Sequence, residues 1–167
     1  MKKGIRIIGI AMLSLLLIGS TAGCSLLGGS SDLPPTEVTF YDIKISLPYG
    51  YIIDSTQSTE YLRVYEKGFY KSLIILSIDG FVEDDPAEWL DGYADYVNQN
   101  GGTAQRTTFM EHDAVYSVFT DKEGKLGREM MFIYNNYCYA VSLRGGTEQD
   151  FNDLLATVSL TDTTVEM

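Results

Sequence analysis

Few residues of this chain are suited to covalent or metal chemistry, and their surroundings point most of them to other work. His112 is the only histidine, so a hydrolytic triad or an imidazole metal site would have to be built on it. It falls in a turn predicted at Glu111-His112-Asp113, where a solvated side chain is the simpler expectation. Cys138 alternates with Ala140 and Ser142 on one face of a predicted strand, the setting of a packed thiol. A nucleophilic thiol needs an accessible, electropositive environment instead. No Gly-x-Ser-x-Gly, phosphate-binding glycine loop or Cys-x-x-Cys occurs. The acids Asp79, Glu83, Asp84, Asp85, Glu88, Asp91 and Asp95 supply the oxygens that hard cations prefer. Among them Asp84, Asp85 and Glu88 are weak metal candidates, because the spacing is not that of an EF-hand loop and Asp85 with Glu88 has a helix-capping role. Tyrosine is abundant, at 12 residues, and Tyr49, Tyr51, Tyr134, Tyr137 and Tyr139 cluster near predicted strand ends. Of these, Tyr49, Tyr51 and Tyr137 are the candidates for a ligand surface, where exposed rings stack on sugars or pack on a partner protein. The pattern calls for no cofactor, no metal and no catalytic residue.

Cys24 has a different context. Lys2, Lys3 and Arg6 open the chain, Ile7 to Ile18 is apolar, and the small residues from Gly19 to Gly23 lead into the cysteine. That order is the order of a secretory signal peptide. The apolar run is about a dozen residues, whereas a helix needs roughly 20 to cross the hydrocarbon core. Thr21-Ala22-Gly23-Cys24 resembles the bacterial lipobox, with Thr21 at a position usually held by leucine. The resemblance implies that residues 1–23 are removed and that Cys24 is the lipidation site. The two or three acyl chains that such a cysteine carries suffice for stable anchoring. Residues 24–36 are rich in Gly, Ser and Pro and read as a flexible tether. The expected location is the extracytoplasmic face of the cell membrane, with the membrane itself a partner through that lipid.

Loss of residues 1–23 would leave nine basic against 23 acidic residues, a net charge of −14. Nucleic acid is excluded as a partner, since its phosphates need Lys and Arg. A polybasic grip on anionic lipid is excluded for the same reason. With Cys24 lipidated, Cys138 is the only thiol left and no internal disulfide can form.

The elements that must position these residues are legible from periodicity. Val38 to Leu47 reads as one strand with a change of phase at Asp42, taken as a bulge or bend. Tyr61 to Glu66 and Tyr70 to Ile78 form a predicted hairpin around Lys67-Gly68, the second strand being central because Leu73 to Leu76 is unbroken apolar sequence. Asp85-Pro86-Ala87-Glu88 starts a helix that Asn100-Gly101-Gly102 stops, with Trp89, Leu90, Tyr93, Ala94, Tyr96 and Val97 on its apolar face. Thr103–Met110, Ala114–Asp121, Leu126–Tyr134 and Tyr137–Leu143 follow as four antiparallel strands, the last two joined by Asn135-Asn136. A second helix begins at Thr147 and carries Phe151, Leu154, Leu155 and Val158 as its buried stripe.

The segment Ile43-Lys44-Ile45-Ser46-Leu47-Pro48-Tyr49-Gly50-Tyr51 resembles the opening of PsbP-like domains, a superfamily named for a photosystem II extrinsic protein. The late strand Asn136-Tyr137-Cys138-Tyr139-Ala140-Val141-Ser142-Leu143, followed by a Phe-containing helix, is similar as well. The resemblance implies an α+β fold for residues 37–160 as a single domain, an antiparallel sheet of about six to seven strands with two helices packed on it, and residues 161–167 as a disordered tail. It implies binding or assembly rather than catalysis, and it transfers no site residue. The expected function is therefore a lipid-anchored extracytoplasmic binding or assembly module, not an enzyme, with a possible extracytoplasmic protein partner. The alternatives are a solute or cell-wall glycan receptor using the tyrosine-rich surface, and an enzyme of unrecognised class.

Overall fold

The computed structural model describes residues 35–47, 51–54, 59–66, 73–83 and 85–161. Their elements run in the order β1 (Thr36–Phe40), β2 (Ile43–Leu47), β3 (Tyr51–Ile53), β4 (Tyr61–Glu66), β5 (Leu73–Phe81), α1 (Pro86–Gln99), β6 (Thr103–Phe109), β7 (His112–Thr120), β8 (Leu126–Tyr134), β9 (Tyr137–Arg144), α2 (Glu148–Leu155) and β10 (Val158–Leu160). Two antiparallel sheets result. The larger has seven strands in the order β3-β4-β5-β9-β8-β7-β6, and the smaller has three in the order β1-β2-β10. The fold is α+β, as expected. Cys24, Tyr49, Asp84, the Lys67-Gly68 turn and the segments read as signal peptide, tether and tail (apart from residues 35, 36 and 161) lie outside the described residues.

Each face of the large sheet is covered by a different layer. Leu62, Val64, Ile74, Leu76, Phe132, Tyr139, Val141 and Leu143 meet Phe151 and Leu154 of α2 and the inner side chains of the small sheet, among them Val38, Ile43, Ile45 and Val158. On the opposite face Leu90, Trp89 and Tyr93 of α1 pack on Val115, Met131, Cys138 and Ala140. The unbroken run Leu73 to Leu76 marks an interior strand of the sheet, but it is not covered equally on both faces: Ile74 and Leu76 are buried, whereas Leu73 and Ile75 are only half-buried.

The described structure corrects four sequence expectations. Val38 to Leu47 is not one bent strand but a tight hairpin, β1 and β2 turning at Tyr41-Asp42 with Phe40 opposite Ile43. Tyr41 takes a φ of 49° there, and the phase change at Asp42 is the strand reversal itself. Val158 is buried, but not on α2. The helix ends at Leu155, and Val158 starts a short strand paired with β2 opposite Ile45. His112 is not in the turn; Met110 and Glu111 are, with φ of 50° and 68°, and His112 is the first residue of β7. Finally, Tyr96 is 64% exposed and belongs to the outer side of α1.

Helix starts follow local chemistry. The Asp85 carboxylate accepts the Ala87 N–H, with Pro86 at the first helical position. Thr147 and Asp150 form a reciprocal capping box, Asp150 N–H to Thr147 Oγ1 at 3.2 Å and Thr147 N–H to Asp150 Oδ2 at 2.7 Å. Thr147→Ala removes one half of that box, and chemical denaturation should show a loss of about 1 kcal/mol. An unchanged midpoint would mean that α2 is held by its packing alone.

Candidate functional site

The α1 side of the large sheet is only partly covered. α1 lies over β6, β7 and β8. Among the described residues no element covers the same face of β4 and β5, which presents Tyr61, Arg63, Tyr65, Leu73, Ile75 and Ser77. Their neighbours in sequence, Leu62, Val64, Ile74 and Leu76, are buried in the other face. The open strip therefore follows from strand alternation together with a helix too narrow to cover seven strands.

A polar row marks the border between the covered and open halves. Cross-strand register places Ser117, Glu129, Ser142, Ile75 and Arg63 side by side on β7, β8, β9, β5 and β4. Glu129 is only 8% exposed. Its two oxygens are taken by hydroxyls, Oε1 by Tyr93 of α1 and Oε2 by Ser142. Since the Tyr93 proton is given to Glu129, the Ser117 hydroxyl at 3.3 Å is placed to donate to Tyr93. Burial first, then the Glu129 charge, raises the Tyr93 hydroxyl pKa, so it remains a donor across the physiological range. A buried carboxylate is tolerated only when it is hydrogen-bonded, and this one is.

The next row holds Phe119, Gly127, Arg144, Leu73 and Tyr65. The Arg144 guanidinium lies 4.1 Å above the Phe119 ring, with its Nη2 3.8 Å from Glu129 Oε2. Gly127 between them is required: a Cβ there would stand 2.6 Å from Arg144 Nη1 and 2.8 Å from the Phe119 ring. Arg144 separates two cavities. One, of about 330 Å3, lies against Tyr93, Tyr96, Asn100 and Phe119, and the other, of about 260 Å3, against Leu73, Ile75, Lys122 and Lys125. A third, of about 430 Å3, is lined by Glu60, Tyr61, Ser77, Ile78, Asp79 and Gly80 at the far end of the strip.

The residues singled out from sequence are dispersed. Cys138 is fully buried under α1, and its thiol pKa is raised first by burial and then by the Asp79 and Glu129 charges, which suits packing and not nucleophilic attack. His112 packs edge-on to Tyr134, ring centroids 5.1 Å apart. Asp85 caps α1, Asp91 pairs with Arg106 at 3.1 Å, and Glu88 lies exposed on the first turn. Among the described residues no group of three His, Cys, Asp or Glu side chains is placed to hold a metal ion. Tyr51 and Tyr137 sit at opposite ends of the large sheet: Tyr51 pairs with Glu66 beside the β4–β5 turn, whereas Tyr137 pairs with Phe81 and Tyr134 at the other end. Tyr137 makes an edge contact with exposed Phe81 at 5.3 Å. Tyr139 is core, its hydroxyl donating to buried Asp42 at 2.9 Å. Sequence inspection missed Glu129 and Arg144. A signal existed for Glu129, which shares the strand phase of Met131 and so had to point inward.

No protein-family profile and no curated protein matches the chain. In three dimensions it is similar to cyanobacterial PsbP (CyanoP) from Synechocystis, with a TM-score of 0.55 and 8% identity over 86% of this chain and 100% of that one. It is also similar to a protein of Bacteroides thetaiotaomicron, with a TM-score of 0.52 and 12% identity over 73% of this chain. The match spans 46% of that longer protein. At such identities the likeness concerns the fold alone, which is PsbP-like.

Two measurements test this electrostatic layout. Cys138 should resist thiol reagents in the native protein and react at an ordinary rate once unfolded; fast native labelling would contradict its burial. The Asp79 carboxyl is raised above its usual 3.8 by partial burial, then by Glu129 and Glu60. A raised acid costs stability once pH exceeds its folded pKa, and that cost is gone below the unfolded value. Asp79→Asn should therefore raise the melting temperature at neutral pH, with the gain fading as pH falls through the raised folded pKa and gone below 3.8. A gain that persists in acid would refer the effect to some other cause.

Proposed function

We propose that this chain is a lipid-anchored extracytoplasmic binding or assembly module without catalytic activity of its own. The observation that carries the reading is the uncovered strip on β4 and β5, where Tyr61, Tyr65, Leu73 and Ile75 stand half-exposed in line beside a hydrogen-bonded polar row. A folded domain leaves such contiguous half-apolar surface where something binds. The fold agrees with a binding role, and the two side chains best suited to nucleophilic or acid–base work, Cys138 and His112, are engaged in packing. Anchoring is supported by Thr21-Ala22-Gly23-Cys24 and by the basic, apolar and small-residue order that precedes it.

Fractionation of the native host tests the anchor. Wild-type protein should sediment with membranes and show the mass of a chain beginning at Cys24 plus a diacylglyceryl group, whereas Cys24→Ser, which has no thiol to modify, should lack that added mass. A wild-type chain without the diacylglyceryl mass overturns lipid anchoring. A photo-crosslinking residue tests the strip. Placed at Ile75 it should trap a partner, and placed at Thr39 on the exposed side of β1 it should not. Equal capture at both positions, or none, removes the strip as the binding surface.

A further inference from the structure

The cations of this acidic domain divide into two groups. Lys44 is paired with Glu37 at 2.9 Å, Lys125 with Glu123 at 2.9 Å, and Arg106 with Asp91 and Asp113 at 3.1 and 3.5 Å. Arg128 donates to the Gly146 carbonyl at 3.1 Å. Arg63, Lys122 and Arg144 differ: among the described residues none of the three has a hydrogen-bond acceptor, and Arg144 and Lys122 line the same cavity of about 260 Å3.

Arg144 is the most informative of the three. Its side chain is only 19% exposed, yet a guanidinium carries five N–H donors. Phe119 covers one face of the guanidinium plane and can accept none of its in-plane N–H groups. Glu129 cannot satisfy them either. At 3.8 Å the pair is beyond hydrogen-bond reach. Glu129, Phe119 and the missing Cβ of Gly127 therefore fix the guanidinium in place while leaving its donors open. A fixed guanidinium with unused donors is preorganised for a two-pronged oxyanion contact.

The rest of the cavity fits the same ligand. The two acids in its lining are engaged locally: Asp121 Oδ1 accepts the N–H groups of Glu123 and Lys125 at 2.9 and 2.8 Å, and Glu123 pairs with Lys125. Lys122 adds an uncommitted positive charge. Leu73 and Ile75 form a half-buried apolar floor, flanked on β4 by Arg63, whose guanidinium rests on the Tyr61 ring at 4.9 Å. We infer that this cavity binds a small amphiphilic anion, its carboxylate or phosphate group seated on the Arg144 guanidinium beside Lys122 and its apolar body lying along Leu73 and Ile75. The inference deepens the binding role proposed for the open strip and rests on it.

Titration of the isotope-labelled Cys24→Ser protein, followed by NMR, tests it with octanoate, octyl phosphate and neutral octanol as probes. One or both anions should shift the Arg144 side-chain N–H and the amides of Leu73, Ile75 and Lys122 in a saturable manner. Comparing the two anions separates a carboxylate from a phosphate ligand. Arg144→Gln should weaken the better anion roughly tenfold, the loss expected for one charge-assisted pair, while octanol affinity stays unchanged. If Arg144→Gln does not fold because Glu129 is left unpaired, the Arg144→Gln/Glu129→Gln double variant removes both charges and should show the same loss. Octanol binding as tightly as the anions, with no dependence on Arg144, overturns anion recognition but leaves the strip as a binding surface. No saturable shift with either anion overturns the inference.

Discussion

Side chains alternate in size along β9, with Tyr139, Val141 and Leu143 on one face and Cys138, Ala140 and Ser142 on the other. Because β9 lies between β5 and β8 inside the seven-stranded sheet, both faces must be covered, and the two covers cannot be alike. The large side chains interdigitate with α2 and the small sheet in a deep core. The small ones let α1 approach closely, close enough for Tyr93 to reach across to Ser117 and Glu129. Replacing Ala140 or Cys138 by a larger residue would push α1 off that face and separate these groups, leaving the buried Glu129 carboxylate with Ser142 but without its Tyr93 donor, a penalty of about 1–3 kcal/mol.

Buried polar contacts on both faces join layers that apolar packing alone would leave free to slide. On the α1 face the Glu129 carboxylate ties the helix to β8 and β9. On the other face the Tyr139 hydroxyl ties β9 to Asp42 in the β1–β2 turn. Apolar contacts are non-directional, so hydrogen bonds between partners far apart in sequence set the register of one layer on the next. The uneven cover has a functional consequence. A single helix of 14 residues lies across one half of a wide sheet, and the exposed half keeps half-apolar side chains beside a fixed guanidinium. The surface proposed to bind a ligand is thus a by-product of how the core was closed.

Much of this was readable from local chemistry. Asp85-Pro86 and Thr147 with Asp150 announce helix starts because backbone N–H groups at a helix end need acceptors. Asn135 and Asn136 announce a tight hairpin because asparagine tolerates positive φ, here 49° and 62°. The strands from Thr103 to Arg144 were close to their final bounds because short connections force neighbours to pair. The misreadings have a common cause. Tyr41-Asp42 lacks glycine, and its reversal is held by distant groups, Tyr139 on Asp42 and the Thr59 carbonyl on Tyr41, at sequence separations of 97 and 18. Val158 is apolar and in helical phase with Phe151, so periodicity could not reveal that it pairs with β2 instead.

Sequence by itself determined the fold class, the two helices, the late four-stranded meander, the two-faced character of β9 and the acidic surface. Each of these follows from interactions between residues near in the chain, or from composition. Tertiary structure alone decided that Tyr51 and Tyr137 lie at opposite ends of the sheet, that His112 packs against Tyr134, and that Glu129, Ser142, Tyr93 and Arg144 converge. The physical reason is that a site is a set of distances between side chains. Those distances are set by strand order and by which face a helix covers, neither of which leaves a local trace in the sequence.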